Sequence, residues 1–467
     1  MSGGQRSFSA PVALVRSLTL VPAAALIVTN VVGTGVFFKA RVMTCNVGTP
    51  WMVLLAYAAA GIFTLAGALT IAELSAMMPR SGGLYNFIGA AFGRVWAFLY
   101  GWMETLLDGA ASVAAVAMVF VIFMNDLLAG TLSPLQVQLL TAATIILVVL
   151  LNLATVRFNG IVASLITFMK ILLVAGIGAA AFLWSDGTWA NFTASGAGGS
   201  CAGVASDARL GLAGFGAAIV SALWAYNGWA DLSFVAEEVR DPGRTLPRAT
   251  ILASVLVILL YLLINAGYFF ALDPLLIANA AEDSSVAGLV VAKLLGAAGA
   301  AALTIGLMLS TLGALHSTVL SVSRIPFAMA RDGMLPAALG KVSVTTQVPA
   351  NAIILLGACA IGFAFSGTFD VLTDLIVFML LLFNGLGVAA VYVLRRKLPD
   401  LERPYRTWGY PVIPAIFLAA TIYLMINTIW TTPWRALSGV LIVFAGLPIY
   451  LFYSRSEASG SAAEETH

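Results

Sequence analysis

The sequence predicts an all-α polytopic membrane protein of twelve transmembrane helices, ten of them in two inverted five-helix repeats with the first and sixth helices broken. Three observations carry this. Of 467 residues, 61% are hydrophobic and only 9% charged, with a mean hydropathy of +1.00, whereas a soluble domain carries about 25% charge. Apolar windows of spanning length recur from one end of the chain to the other. The first of these carries Asn30–Phe38, NVVGTGVFF, with Gly-Thr-Gly at its midpoint, although a glycine costs close to 1 kcal/mol against alanine inside a helix.

The windows fall at 18–43, 49–77, 95–127, 134–153, 160–184, 210–236, 249–272, 298–329, 348–366, 370–394, 411–430 and 436–453. A span needs roughly 20 apolar residues. Runs this solidly apolar exclude a β-barrel, whose strands alternate. Lys and Arg gather in cytoplasmic loops. Here they gather around Arg80–Arg94, Arg157, Arg240–Arg248, Arg331–Lys341 and Arg395–Arg406, with Arg6, Arg16 and Arg455 at the ends. The alternate loops near 126–134, 185–209, 271–297 and 431–435 hold few. Both termini are therefore expected in the cytoplasm, with the chain in the plasma (bacterial inner) membrane. The expected division is 1–17 cytoplasmic segment, 18–184 first repeat, 185–209 extracellular loop, 210–394 second repeat, 395–453 inner loop and last two helices, and 454–467 cytoplasmic tail, disordered from Ala458.

Other features narrow the function. Net charge is +2 and set by topology, so no nucleic acid is expected as partner. The N-terminus is polar to Ser9 and then enters a run too long for a signal peptide, so none is expected. Cys45, Cys201 and Cys359 have no metal-ligand spacing. Cys45 and Cys201 can both face outward, and whether they pair stays open. Asn191-Phe192-Thr193 is a glycosylation sequon in an outer loop, without meaning in a bacterial cell. With two histidines, no Ser/His/Asp set and no nucleotide-binding loop, neither catalysis nor a cofactor is expected. Ser284–Gly299 holds a run too short to span and is expected as a helix on the outer face.

An internal correspondence points further. The first span breaks at Gly33-Thr34-Gly35, and the sixth carries Trp224-Ala225-Tyr226-Asn227-Gly228-Trp229 near its middle. These spans open two five-span halves, and five being odd, the halves are inverted. Matched, glycine-interrupted spans mark a transporter's binding site. Close helix packing through small residues is the competing reading of the glycines. Backbone released from helical bonding is tolerated at membrane depth only where protein or water satisfies it. Half-helix N-termini attract anions and C-terminal carbonyls attract cations, so two adjacent breaks form a receptor for a zwitterionic α-amino acid.

Five stretches in order carry a resemblance: VVGTGVF, GALTIAELSAMMPRSGGLYNFI, WAYNGWADLSFVAEEVRDPGRTLPRA, STLGALHSTVLSVSRIPFAMARDGMLP and LRRKLPDLERPYRTWGYP. Over nearly its whole length the chain resembles the amino acid–polyamine–organocation (APC) superfamily, and within it the L-type amino acid transporter branch, as a bacterial member. The resemblance implies that the amides of Thr34 and Gly35, beside Gly33, hold the substrate carboxylate. Carbonyls of Val31, Trp224 and Asn227 would hold its ammonium, with Tyr226 and Gly228 in the same segment. Trp224 matches an aromatic gate. Asn227 departs from the family's usual glycine or serine, which narrows the room and adds a polar group.

Lys170, in LITFMKILLV, lies about ten residues into span five, roughly 15 Å deep, too far for snorkelling. An ionisable group at this depth marks a substrate or ion pathway; a lysine merely satisfied by carbonyls is the alternative. In related sodium-coupled transporters an ion clamps span one to span eight, and in the L-type branch a span-five lysine resembles a fixed substitute, which implies sodium-independent transport. A buried amine can also change protonation state, which keeps proton coupling open.

Glu104 and Asp108 share a face of span three. They would bind a cationic side chain, relay a proton or form a structural pair. Glu73, Arg80, Glu237, Glu238, Arg240, Asp241 and Arg244 resemble a charged inner gate, or serve as ordinary topology-setting charge. His316 reads as a packing residue. Eukaryotic L-type proteins join a glycoprotein through a cysteine in the loop between spans three and four; residues 126–134 have none, so no such partner is expected, and the oligomeric state is left open. The function expected is sodium-independent exchange of neutral L-amino acids by alternating access. The rivals are a proton-coupled permease for cationic or other amino acids or polyamines, and a sensor that binds without transport.

Overall fold

The computed structural model describes residues 14–33, 35–128, 130–281, 285–365, 369–431 and 433–453. Thr34, the N-terminal thirteen residues and the tail from 454 lie outside the described residues. Those described form helices joined by turns, with one isolated parallel bridge between Leu18 and Val239 as their only extended pairing.

The first apolar window is a broken pair, α1 (Leu20–Val31) and α2 (Gly35–Val47), bent by 43°. There follow α3 (Pro50–Met77), α4 (Leu84–Phe92), α5 (Arg94–Met103), a π-helical turn over Glu104–Ala110, α6 (Ala111–Leu127), α7 (Pro134–Asn152) and α8 (Val156–Trp184). The second part holds α9 (Gly211–Ala225), α10 (Pro242–Ala271), α11 (Pro274–Asn279), α12 (Val286–Val322), α13 (Arg324–Arg331), α14 (Ala350–Ala364), α15 (Phe369–Lys397), α16 (Val412–Thr431) and α17 (Pro433–Phe444). Among the described residues nine helices are long and apolar enough to cross a membrane, and ten if the bent pair is one span. Two windows, at α9 and α14, yield shorter apolar helices.

Local chemistry sets several boundaries. At α7, Ser133 and Gln136 form a reciprocal capping box and Pro134 opens the helix. Within α12, Gly296 at φ +65° sets the stretch from Val286 apart from the long span behind it, as the short run beginning at Ser284 suggested. The loop 185–209 is fastened down: Cys45 and Cys201 are disulfide-bonded, and Arg41 Nη2 donates to the Ala202 carbonyl at 2.9 Å. That pairing ties the far end of α2 to residues 156 positions away.

One apolar core runs through the bundle, and α1 sits at its centre, against α8, α10 and α12. On the outward faces, Leu139, Ile146 and Leu150 of α7, Leu165 and Phe168 of α8, and Ile416 of α16 are exposed. Such an apolar rim suits hydrocarbon as solvent.

Candidate substrate-binding site

The two breaks meet. After α1 the helical bonding gives way to a tight turn at Gly33, whose N–H donates to the Val31 carbonyl at 2.8 Å. After α9, Asn227 Oδ1 accepts its neighbour's Gly228 N–H at 2.9 Å, a local bond that competes with helical pairing. Gly228 sits at φ +98°, a conformation open to glycine, and the chain continues through a 3₁₀ turn at Asp231–Ser233. A Cβ on Gly35 would lie 2.7 Å from the Ala225 Cα, and one on Gly228 2.8 Å from the Asn30 Cβ. Close packing at these glycines is thus what brings the two unwound segments together.

Side chains outside the breaks stitch them. The Tyr261 hydroxyl, from α10, shares its proton between the carbonyl oxygens of Val31 at 2.8 Å and Ala225 at 2.7 Å. Asn30 Nδ2 donates to Asp231 Oδ2 at 2.7 Å and to Ser321 Oγ at 3.2 Å, joining the first span, the sixth and α12.

A cavity of about 60 Å³ lies between the segments, room for about four to six water molecules. Of the residues expected at the site, Val31, Gly33, Gly35, Trp224, Asn227, Gly228 and Asp108 line it. Three expectations are refined. The Val31 carbonyl, expected to take an ammonium, accepts both the Gly33 N–H and the Tyr261 hydroxyl, which uses its two lone pairs. Tyr226 turns away: its hydroxyl donates to the Tyr57 carbonyl at 3.2 Å and its ring packs on Tyr261. Glu104 is fully enclosed behind Asp108, interacting with it and with Tyr100.

The π-helical turn from Glu104 replaces the plain helix that the spacing of the two acids suggested. The extra residue per turn is a common device at functional sites, and here it carries Asp108 to the cavity wall. Asp108 Oδ1 accepts from Asn227 Nδ2 at 3.1 Å and from Ser112 Oγ at 3.2 Å. Sequence reasoning missed Asp231, which lines the same cavity. It sat in plain view within WAYNGWAD, and the rule that flags an ionisable residue at membrane depth would have found it.

Lys170 is 1% exposed. Its Nζ donates to the carbonyls of Thr29 at 2.8 Å and Val32 at 2.7 Å. Those oxygens close the C-terminal end of α1, where a helix dipole favours a cation. Beside it Thr29 and Thr167 bond through their hydroxyls. The ammonium thus ties span five to the break of span one, and among the described residues none of its acceptors lies on α12.

Of the expected inner charges, Glu73 pairs with Arg395 at 2.7 Å and with Arg403 at 3.6 Å, Glu238 with Arg324 at 2.7 Å, and Glu237 with Arg331 at 3.1 Å. Arg240 donates to the Arg16 carbonyl. Arg80, Asp241 and Arg244 form no ion pair among the described residues. His316 is buried with its Nδ1 3.1 Å from Asn152 Nδ2.

A bundle of apolar helices around a small polar cavity, walled by two broken segments, defines a polytopic membrane permease. The amino acid permease family model matches residues 18–453, and the chain belongs to that family, within the APC superfamily. It is 31% identical to the serine/threonine exchanger SteT of Bacillus subtilis over 96% of this chain and 98% of that one. It is 30% identical to the cystine/glutamate transporter of Homo sapiens, over 95% of this chain and 86% of the relative. It is also 30% identical to the large neutral amino acids transporter small subunit 2 of Mus musculus, over 94% and 81%. These relatives are transporters and exchangers, and the chain is not an enzyme.

Proposed function

We propose that the chain is a sodium-independent exchanger of amino acids working by alternating access around the two broken spans. The observation that carries this is Lys170, whose ammonium occupies the carbonyl end of α1. A fixed cation there does electrostatically what a bound sodium ion would do, so no ion gradient need be coupled to cargo. The cavity beside it has the polarity a zwitterion requires, with the amide end of α2 on one side and carboxylates on the other. By resemblance the cargo is a neutral L-amino acid; the relatives are named for serine and threonine, for cystine and glutamate, and for large neutral amino acids.

In this reading α9 with its irregular continuation and α14 also cross the membrane, giving twelve spans and two inverted five-helix repeats. The Cys45–Cys201 disulfide supports an outer position for the loop 185–209, since disulfides persist in oxidising compartments. We read both termini as cytoplasmic, in a bacterial cell, with the paired charges at Glu73, Glu237 and Glu238 on the inner side. No glycoprotein partner enters the proposal.

Purified protein in proteoliposomes tests it. Uptake of a radiolabelled panel of neutral and basic L-amino acids should require amino acid inside, and should be equal in sodium and choline buffers and indifferent to an imposed pH gradient. Lys170→Ala should insert and run as a single species on gel filtration while exchange falls at least tenfold. Uptake into empty vesicles driven by sodium or protons would overturn exchange, and wild-type rates in the alanine variant would remove Lys170 from the mechanism.

A further inference from the structure

Five carboxylates are buried among the described residues: Glu73, Glu104, Asp108, Asp231 and Glu238. The two at the inner ends of the helices each have an arginine, Glu73 with Arg395 and Glu238 with Arg324. The three near the cavity have no cationic partner among the described residues. The contrast matters, because a buried acid lacking a cation is costly to hold charged, and this chain supplies arginines where acids serve only structure.

Asp108 and Asp231 are 7% and 8% exposed, and what exposure they keep faces the cavity they line. Each spends one oxygen on neutral donors: Asp108 Oδ1 on Asn227 and Ser112, Asp231 Oδ2 on Asn30 and Ser321. The other oxygen of Asp231 takes no hydrogen bond from the described residues, and Asp108 bonds besides with the Glu104 carboxyl behind it. Lys170, the nearby buried cation, is committed to the Thr29 and Val32 carbonyls. Asn30 Oδ1, a further acceptor on a lining residue, is also without a partner. The cavity wall is thus rich in acceptors and short of positive charge among the described residues.

A neutral amino acid brings one ammonium, which one carboxylate satisfies. Two carboxylates from different elements, π-turn and 3₁₀ turn, with a third acid behind, call for more. We propose that Asp108 and Asp231 select a cargo with a cationic side chain: a compact basic amino acid of the ornithine or 2,4-diaminobutyrate type. Its carboxylate lies toward the α2 amides and its side-chain ammonium between the two acids. The cavity volume of about 60 Å³ favours a short side chain. This rests on the chain being an amino acid exchanger, and replaces the neutral cargo that resemblance alone implies.

The test compares ornithine with norvaline, close to it in length and without the side-chain charge. Proteoliposomes holding the full-length protein are preloaded with both unlabelled amino acids, and uptake of labelled L-ornithine and L-norvaline is measured at matched concentrations. Wild type should take up ornithine at least tenfold faster. Asp108→Asn and Asp231→Asn should each lower the ornithine-to-norvaline ratio at least tenfold, and Asp231→Glu should restore part of it. Equal uptake of the two by wild type, or a ratio unchanged in both asparagine variants, overturns the proposal. Norvaline uptake driven by a proton gradient, with ornithine excluded, also overturns it and makes the acids a proton path. If norvaline exchanges and ornithine does not, the exchanger stands and this inference alone falls; if no amino acid in the panel crosses, both fall. Should an asparagine variant fail to run as a single species on gel filtration, the wild-type comparison decides.

Discussion

A methyl group added at Gly35 would come within 2.7 Å of the Ala225 Cα, whereas one at Gly33 would meet only the Val31 carbonyl oxygen, 4.0 Å away. The two glycines of the G-T-G motif thus have different duties. Gly35 lets α2 and α9 touch backbone to backbone, and Gly33 keeps the cavity open. Gly35→Ala should lower stability by about 1–3 kcal/mol, the cost of overpacking a filled contact, seen as a fall in the detergent unfolding temperature. Gly33→Ala should leave that temperature in place and raise the KM for exchange. A Gly35→Ala protein as stable as wild type would mean the helices part at no cost. At this scale the motif itself was legible, as were Lys170 and Asp108. Asp231 was open to the same reasoning and was passed over, whereas the occupancy of the Val31 carbonyl, expected to take an ammonium, depends on a hydroxyl that arrives from another helix.

At the scale of elements, both broken helices could be read from composition, since glycine and asparagine weaken helical pairing wherever they stand. What holds the breaks in place could not. Tyr261 lies in an unbroken apolar run of α10, yet its hydroxyl is the tie between the last carbonyls of α1 and α9. Tyr261→Phe removes that donor from two buried acceptors, and an unmet buried acceptor costs about 1–3 kcal/mol. The variant should unfold at lower temperature by that amount and exchange more slowly, because the segments lose their shared anchor. Unchanged stability and flux would show that the tie is dispensable. The π-helical turn at Glu104–Ala110 is a second feature of this kind. Spacing alone predicts an ordinary helix there, and only packing against the neighbouring helices selects the extra residue per turn.

Across the whole molecule, the paired charges at the helix ends are of two sorts. Arg324 and Glu238 are both 0% exposed, whereas Arg331 and Glu237 are 52% and 22% exposed. Removing one member of a fully buried pair strands the other and costs about 3–5 kcal/mol, while an exposed pair is worth about 0–1 kcal/mol. Glu238→Ala should therefore lose most of its folded yield and Glu237→Ala almost none, as measured by unfolding temperature and monodispersity. Equal behaviour would assign both pairs to surface charge. The sequence marked both glutamates as gate candidates without ranking them, since burial is a property of the assembled bundle.

Length, hydropathy and the distribution of lysine and arginine determined by themselves that this is a polytopic helical membrane protein. Five ordered motifs identified its family, and two interrupted spans located the cavity. Those signals are local, written in the solvent each segment must meet and in the backbone each residue tolerates. Tertiary structure alone decided that Cys45 meets Cys201, that Tyr226 turns from the cavity, and that Asp108 and Asp231 share it with no arginine between them. Each of those facts depends on the distance between residues far apart in the chain, and in a bundle this is set by how helices pack rather than by where they begin and end.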